Sequence, residues 1–477
     1  MNRPWYKLHP CGTSEWMKLL FLGELSMLDV IDFCNRYLWS LLPVIIILIG
    51  AIFSYKTRCV QLRLLPSSTR MVWNDIQKES SNDGISSLKA TFLALAATVG
   101  TGNLSGVAGA ITIGGPGAIF WMWVSGVLGM IIKFLEVFVA LNFRKRNQNG
   151  EWVGGPMVNI VRGMPTKFHF MAYFYAFFGM VASFGIGNAT QVNTIIGSIE
   201  FLYNFLGYDL TNIGKVIFGI VLALFFFYTV FTGTVRIGKC VEVLIPISAI
   251  SYISLALIAL LMNIELIPHA MRCIFVGAFQ PRAVTSGMIG SFLQTLRIGI
   301  SRGIFTNEAG MGTASIAHAS AEVEDPVTQG LFGIFEVFID TIVICTLTAL
   351  VILCNDINIP FGNDSGIQLT FLAFSKTYNE WILIPLSMIV VMLATATIFG
   401  WGMYGGICSQ FLLGNSSRGW YIGLHCAVII FSTLGDSAII WSLAEIANGL
   451  MAIPNLISIA YLTTPAFINR IKTYRPN

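Results

Sequence analysis

Charge is what this sequence has least of. Only 11% of its 477 residues are Asp, Glu, Lys or Arg, against about 25% in soluble domains. The chain therefore lacks the polar surface needed to cover a soluble fold of its length. Its formal charge of +4 is small and dispersed, which argues against a nucleic-acid partner. Nucleotide and metal-hydrolase signatures are also missing, because neither GxxxxGK[ST] nor HExxH occurs. The five histidines (His9, His169, His269, His318, His425) are scattered. With no ATP-binding or hydrolytic machinery in view, no enzyme is expected. Nine cysteines (Cys11, Cys34, Cys59, Cys240, Cys273, Cys345, Cys354, Cys408, Cys426) form no CxxC pair, so they read as free thiols and not as a disulfide frame or metal site. The opening stretch MNRPWYKLHPCGTSEW has no compact apolar core followed by a small-residue cleavage site, so no removable signal peptide is expected.

What the sequence has instead is apolar length. Hydrophobic residues make up 55% of it, and a membrane-crossing helix needs about 20 in succession. Eleven stretches qualify, at 37–54, 90–112, 117–142, 169–201, 212–233, 240–262, 284–304, 327–353, 381–405, 419–434 and 437–461. Threading them through a bilayer places eighteen Lys and Arg in cytoplasmic loops and four in outer loops beyond the N-terminal tail, the asymmetry that cytoplasmic loops normally show. The first half also echoes the second. FLEVFV around Glu136 matches IFEVFI around Glu336, an offset of 200 residues, and the same offset pairs the glycine-rich centres of the second and seventh spans. Five spans separate the pairs, so equivalent segments cross in opposite directions, the pattern of an inverted repeat.

The fold expected is thus an all-α polytopic membrane protein of about eleven spans. It combines an extra N-terminal helix with a five-plus-five inverted repeat in which the first helix of each repeat is discontinuous. The divisions are residues 1–36 (tail), 37–89 (extra helix and basic cytoplasmic loop), 90–262 (first repeat), 263–461 (second repeat) and 462–477 (cytoplasmic tail).

Seven glycines fall between Gly100 and Gly117, and each costs a helix interior up to about 1 kcal/mol. Gly100-Thr101-Gly102-Asn103 at mid-span predicts a break. Lipid cannot satisfy the backbone groups a break frees. The amides opening the second half suit a carboxylate, and the carbonyls ending the first half, at Thr98 and Val99, suit a cation. A zwitterionic amino acid with a sodium ion fits both ends. The equivalent break is expected at Gly299 to Gly303, with Ser301 in the site. Close helix packing through small residues is the plain alternative for such glycines. Asn188, Gln191 and Thr194 recur at helical spacing and share a face, offering amides to a substrate or glue between helices. Thr397 and Trp401 lie four apart, a hydroxyl for a cation or substrate and an indole to wall a small pocket. Glu308 reads equally as a capping carboxylate or as functional. Charges within spans are costly. Lys133 and Glu136 are spaced to pair, and Glu336 and Asp340 need a proton or a cation, with Arg297 one candidate. A structural role is expected for these residues.

The chain resembles the alanine or glycine:cation symporter family. The likeness runs from about residue 28 to 468, through AATVGTGN (Ala96 to Asn103), GGPGAIFWMWVSGVLGM (Gly114 to Met130), EWVGGPM, SFGIGN, GISRGIFTNEAGMG with IAHA after it, QGLFGIFEVFIDTIVICTLTALVIL and TIFGWGMYGG. It implies the inverted-repeat amino acid transporter fold and sodium-coupled symport of alanine or glycine across the plasma membrane, a bacterial inner membrane, with sodium as coupling ion and no other cofactor. Partners would be the amino acid, sodium and lipid, with no required protein partner. Carried over by position, it implies substrate contacts at Thr101, Gly102, Asn103 and Gln191, with Thr397 and Trp401 on the pocket wall. Relatives usually read STxLGWxYYGE where this chain has Ala396, Gly402 and Gly406, so a sodium-holding serine hydroxyl is missing at Ala396. A proton-coupled carrier of D-alanine or serine, or a passive amino acid channel, are the alternatives.

Overall fold

The computed structural model describes residues 27–77, 85–147, 150–231, 234–281, 291–323, 325–355, 357–363, 366–435 and 437–475. Most of the expected tail with Cys11 and His9, together with Lys78, Arg282 and Asp436, lies outside the described residues. The described residues are mostly helical and include a small antiparallel hairpin of β1 (Lys145–Arg146) and β2 (Trp152–Val153) that pairs Lys145 with Val153. The first half runs α1 (Met27–Lys56), α2 (Ser87–Thr98), α3 (Gly102–Gly114), α4 (Ala118–Phe143), α5 (Phe170–Phe184), α6 (Thr190–Phe205), α7 (Asn212–Phe231) and α8 (Thr234–Met262). The second runs α9 (Ile267–Phe279), α10 (Phe292–Asn307), α11 (Thr313–Ala319), α12 (Pro326–Val337), α13 (Cys345–Leu353), α14 (Gly366–Tyr378), α15 (Leu383–Leu413), α16 (Ser417–Phe431), α17 (Ser437–Leu462) and α18 (Pro465–Thr473). Eight cysteines are described and all are free thiols.

Every expected span has a helix in its place, but the count differs. Among the described residues, eight helical segments are long and apolar enough to cross a membrane, or nine with the bent pair α2–α3 taken as one. Of the expected span at 284–304, residues 284–290 lie outside the described residues and the rest falls in α10, of 16 residues, while that at 419–434 becomes α16, of 15 residues. Both fall short of the roughly 20 residues that a full crossing needs, and α10 also carries Arg297 and Arg302. Helix α4 sits at the centre, with 83% of its most apolar window buried against 28% for the peripheral α7. It packs on α10 and α12, while α15 packs along α5. Glycine allows the tightest approach at the head of α4, because a Cβ on Gly117 would strike the backbone of Gly277 and Ala278 in α9.

Two helices are interrupted at the core. Ser86 caps α2 by accepting the Lys89 amide at 3.2 Å. The helix ends at Thr98, and α3 restarts at Gly102 with a 40° bend between them. This is the break expected from Gly100 to Asn103. The second break lies elsewhere. Helix α10 continues unbroken through Gly299 and Gly303 and stops at Asn307, where Glu308 turns left-handed with φ 52°. Gly310 and Gly312 follow at φ 96° and 79°, a conformation that favours residues without a Cβ. Gly299 and Gly303 serve the packing alternative, since a Cβ on either would meet Ala118 and Trp121, or Met122 and Ser125, of α4. GISRG also spells the GxSxG string that marks a strand-to-helix nucleophile elbow in hydrolases. Within a continuous helix no such elbow forms.

Candidate functional site

The first break gathers residues from four elements. Asn103, in the first turn of α3, accepts the Gly100 amide through Oδ1 at 3.1 Å. Its Nδ2 donates to the Asp340 carboxylate at 2.6 Å and to the Asp340 carbonyl at 3.1 Å. Thr101 donates its hydroxyl to Gln191 Oε1 of α6 at 3.0 Å. Helix α15 crosses the break so closely that a Cβ on Gly100 would stand 2.7 Å from Thr397 Oγ1, and one on Gly400 would stand 3.2 Å from the Ala97 nitrogen. Thr98, Val99, Thr101, Asn103, Gln191, Thr397 and Trp401 are all buried. The first amides of α3, at Gly102 and Asn103, have no preceding turn to bond to, and the last carbonyls of α2 have none following. Break, amide and hydroxyl thus meet as the sequence suggests.

Other expected residues separate. A π turn over Gly185–Ala189 joins α5 to α6 and changes the register on which Asn188 and Gln191 were expected to share a face. Asn188 donates to the His425 carbonyl in α16 at 2.9 Å, and Thr194 donates to Thr190 one turn back. Gln191 alone of the three reaches the break. The Thr98 hydroxyl lies 3.4 Å from Glu336 Oε1, while that of Thr397 donates to the Leu393 carbonyl at 3.0 Å. Ser301 lines a vestibule with Arg36, Arg297, Arg302 and Glu445. Phe305 forms part of the same vestibule and also lies 4.0 Å from where a Gly102 Cβ would sit. Trp401 is wedged against Gly187 of the π turn and donates its indole N–H to Glu308 Oε1 at 3.0 Å. Glu308 also accepts the Thr313 hydroxyl at 2.6 Å, so it ties the second break to α15 instead of capping a helix amide. Gly402, Met403 and Gly406, which follow Trp401 in α15, line a second cavity with Trp152 of the hairpin.

The buried charges pair differently from their spacing. Lys133 reaches across to Glu336 at 3.1 Å and does not pair with Glu136, its neighbour one turn on. His318 Nε2 stands 3.3 Å from the other Glu336 oxygen, and Gln329 contacts the far ring nitrogen at 2.8 Å. Glu136 Oε1 instead accepts the amides of Gly310 and Gly312, both at 2.9 Å, and Asn455 Nδ2 at 2.7 Å. The Gly310 and Gly312 amides freed by the second break are thereby occupied by protein. Arg297 does not lie between Glu336 and Asp340, and its side chain approaches Ser40 in the N-terminal half of α1. Sequence reasoning missed the part played by Glu136, His318 and Asn455, whose partners lie far along the chain.

The model of the sodium:alanine symporter family matches residues 24–477. The sodium/alanine symporter AgcS of Methanococcus maripaludis is 35% identical over 444 residues, covering 92% of this chain and 95% of that protein. The amino-acid carrier protein AlsT of Bacillus subtilis is 33% identical, covering 92% and 90%. The probable sodium/glutamine symporter GlnT of the same organism is 34% identical, covering 92% and 89%.

Proposed function

Because the chain belongs to the sodium:alanine symporter family, we propose that it carries alanine or glycine inward with sodium by alternating access around the first helix break. The observation that carries this reading is the convergence of Thr101, Gln191 and Thr397 on Gly100 to Asn103. The substrate carboxylate would lie on the amides of Gly102 and Asn103, at the positive end of α3. Sodium would take hydroxyl and carbonyl oxygens at Thr98, Val99 and Thr397. Hard cations want several oxygens, and Ala396 supplies none. Gly299 and Ser301 drop out of the site, the first for packing against α4 and the second for facing the vestibule.

Alternating access is favoured over a passive channel because the residues at the break are buried, and Phe305, which lines the vestibule, stands against Gly102. Breaks in both halves, at Val99–Thr101 and Glu308–Gly312, support the five-plus-five inverted repeat over 90–262 and 263–461. The setting proposed is a bacterial plasma membrane. One relative bears the name of a glutamine symporter, so the assay should include glutamine. In proteoliposomes, an inward sodium gradient is expected to accelerate uptake of labelled alanine, with excess unlabelled glycine competing and glutamine failing to. Equal rates with and without the gradient would defeat sodium coupling, and competition by glutamine alone would reassign the substrate.

A further inference from the structure

Asp340 lies in a π turn, Phe338–Ile344, that joins α12 to α13, and it is fully buried. No ion pair reaches it among the described residues. The groups that do reach it form one chain of hydrogen bonds running from the first helix break to the second. From the first side, the Gly100 amide donates to Asn103 Oδ1 at 3.1 Å, and Asn103 Nδ2 donates to Asp340 Oδ1 at 2.6 Å. From the second, the Ala309 amide donates to Asn307 Oδ1 at 2.9 Å. Asn307 Nδ2 then donates to Thr341 Oγ1 at 3.1 Å, and Thr341 donates to Asp340 Oδ2 at 2.8 Å.

The direction of this chain is set by its ends. A main-chain N–H can only donate, so the Gly100 amide fixes the Asn103 oxygen toward itself and turns its NH₂ toward Asp340. The Ala309 amide orients Asn307 in the same way, which commits the Thr341 hydrogen to Asp340. Each carboxylate oxygen thus receives a donor whose orientation is dictated by an amide freed at one of the breaks. Such a site does not suit sodium, which requires several oxygens, because the neighbouring side chains present hydrogens. It suits a carboxylate that exchanges a proton. Lys133, the cation on the neighbouring α4, is already paired with Glu336, and an ionised carboxylate without a cation of its own is costly at the bilayer centre. Once Asp340 is protonated, its new O–H must find an acceptor while both neighbouring groups present hydrogens, and reversing either donor carries the change to a helix break.

We propose that Asp340 is a proton-binding residue linking the two breaks, ionised while both amides are engaged and protonated from bulk water when alanine enters the first. This rests on the transport reading above. The substrate carboxylate would bring negative charge beside Asn103, so binding should draw a proton onto Asp340. Other ionisable or charged groups come from the elements packed around the π turn. Helix α4 brings Lys133, paired with Glu336, and Glu136, held by the second break. Helix α10 brings Arg297 and Arg302 in the vestibule, with Glu308 beyond its end bound to Trp401. Helix α12 brings Glu336, α13 brings Cys345, 3.4 Å from Asn103 Nδ2, and α3 brings none.

The test is proton uptake on adding alanine to the purified full-length protein in weakly buffered detergent solution with sodium. Across a pH series, the wild type is expected to take up as much as about one proton per alanine bound. Asp340→Asn should bind alanine without that uptake. Thr341→Val keeps the carboxyl but removes one of its two donors, so the pH of maximal uptake should move. Alanine binding without proton uptake in the wild type would overturn the proposal. So would unchanged uptake in Asp340→Asn or an unmoved maximum in Thr341→Val, the latter deciding the matter should the Asn variant not fold. Loss of one sodium per alanine in Asp340→Asn would overturn it in favour of a sodium site. Absence of alanine binding to the wild type would instead defeat the transport reading, and this inference with it.

Discussion

Lys133→Ala is expected to cost the folded protein about 3–5 kcal/mol, the usual penalty for removing one partner of a buried ion pair. Both side chains of the Lys133–Glu336 pair are wholly inaccessible to solvent, so the stranded carboxylate could not be rescued by water. Glu336 also stands beside Thr98 at the first break and His318 of α11, and its displacement would loosen both. The measurement is the melting temperature of detergent-solubilised protein, followed by size-exclusion chromatography after heating. A drop of several degrees is expected, with partial recovery on adding Glu336→Gln, because the second change removes the uncompensated charge. A single variant that melts with the wild type would show that the pair contributes little.

The second large effect concerns binding. A Cβ on Gly102 would meet Thr306 at 3.7 Å and Phe305 at 4.0 Å, ordinary contacts that leave room for Ala but not for a longer chain. Gly102→Ala should therefore fold and bind alanine. Gly102→Leu should insert normally while weakening alanine binding by about a hundredfold or more, equivalent to about 2.8 kcal/mol, as its side chain claims the space beside the α3 amides. Calorimetric titration with alanine in the presence of sodium reads the difference. Unaltered affinity in the Leu variant would remove Gly102 from the site.

The first break was legible because its signal is local. Small and polar residues, Thr98 and Gly100 to Asn103, interrupt an apolar run where a helix would otherwise continue. The second break was misplaced by the same reasoning. Gly299 and Gly303 carry the glycine signal but spend it on close approach to α4, and the interruption falls at Glu308 to Gly312. The closely spaced Gly310 and Gly312 in NEAGMG mark that position, just past the end of the apolar stretch. Gln191, Thr397 and Trp401 could be singled out as polar or aromatic residues within spans, and the structure brings all three to the region of the breaks. Their partners could not be read in advance, because a π turn resets the register ahead of Gln191 and Trp401 reaches the distant Glu308. The pairing of Lys133 with Glu336 was hidden for the same reason. Spacing along one helix favoured Glu136, whereas packing of α4 on α12 decided otherwise.

The account stands or falls on where alanine sits, and a density map of the protein bound to alanine and sodium tests this most directly. The expected result is a ligand at the first break, with its carboxylate on the amides of Gly102 and Asn103 and with Gln191 and Thr397 alongside. Alanine lodged instead in the vestibule beside Arg297 and Arg302, with the break between α2 and α3 vacant, would contradict it.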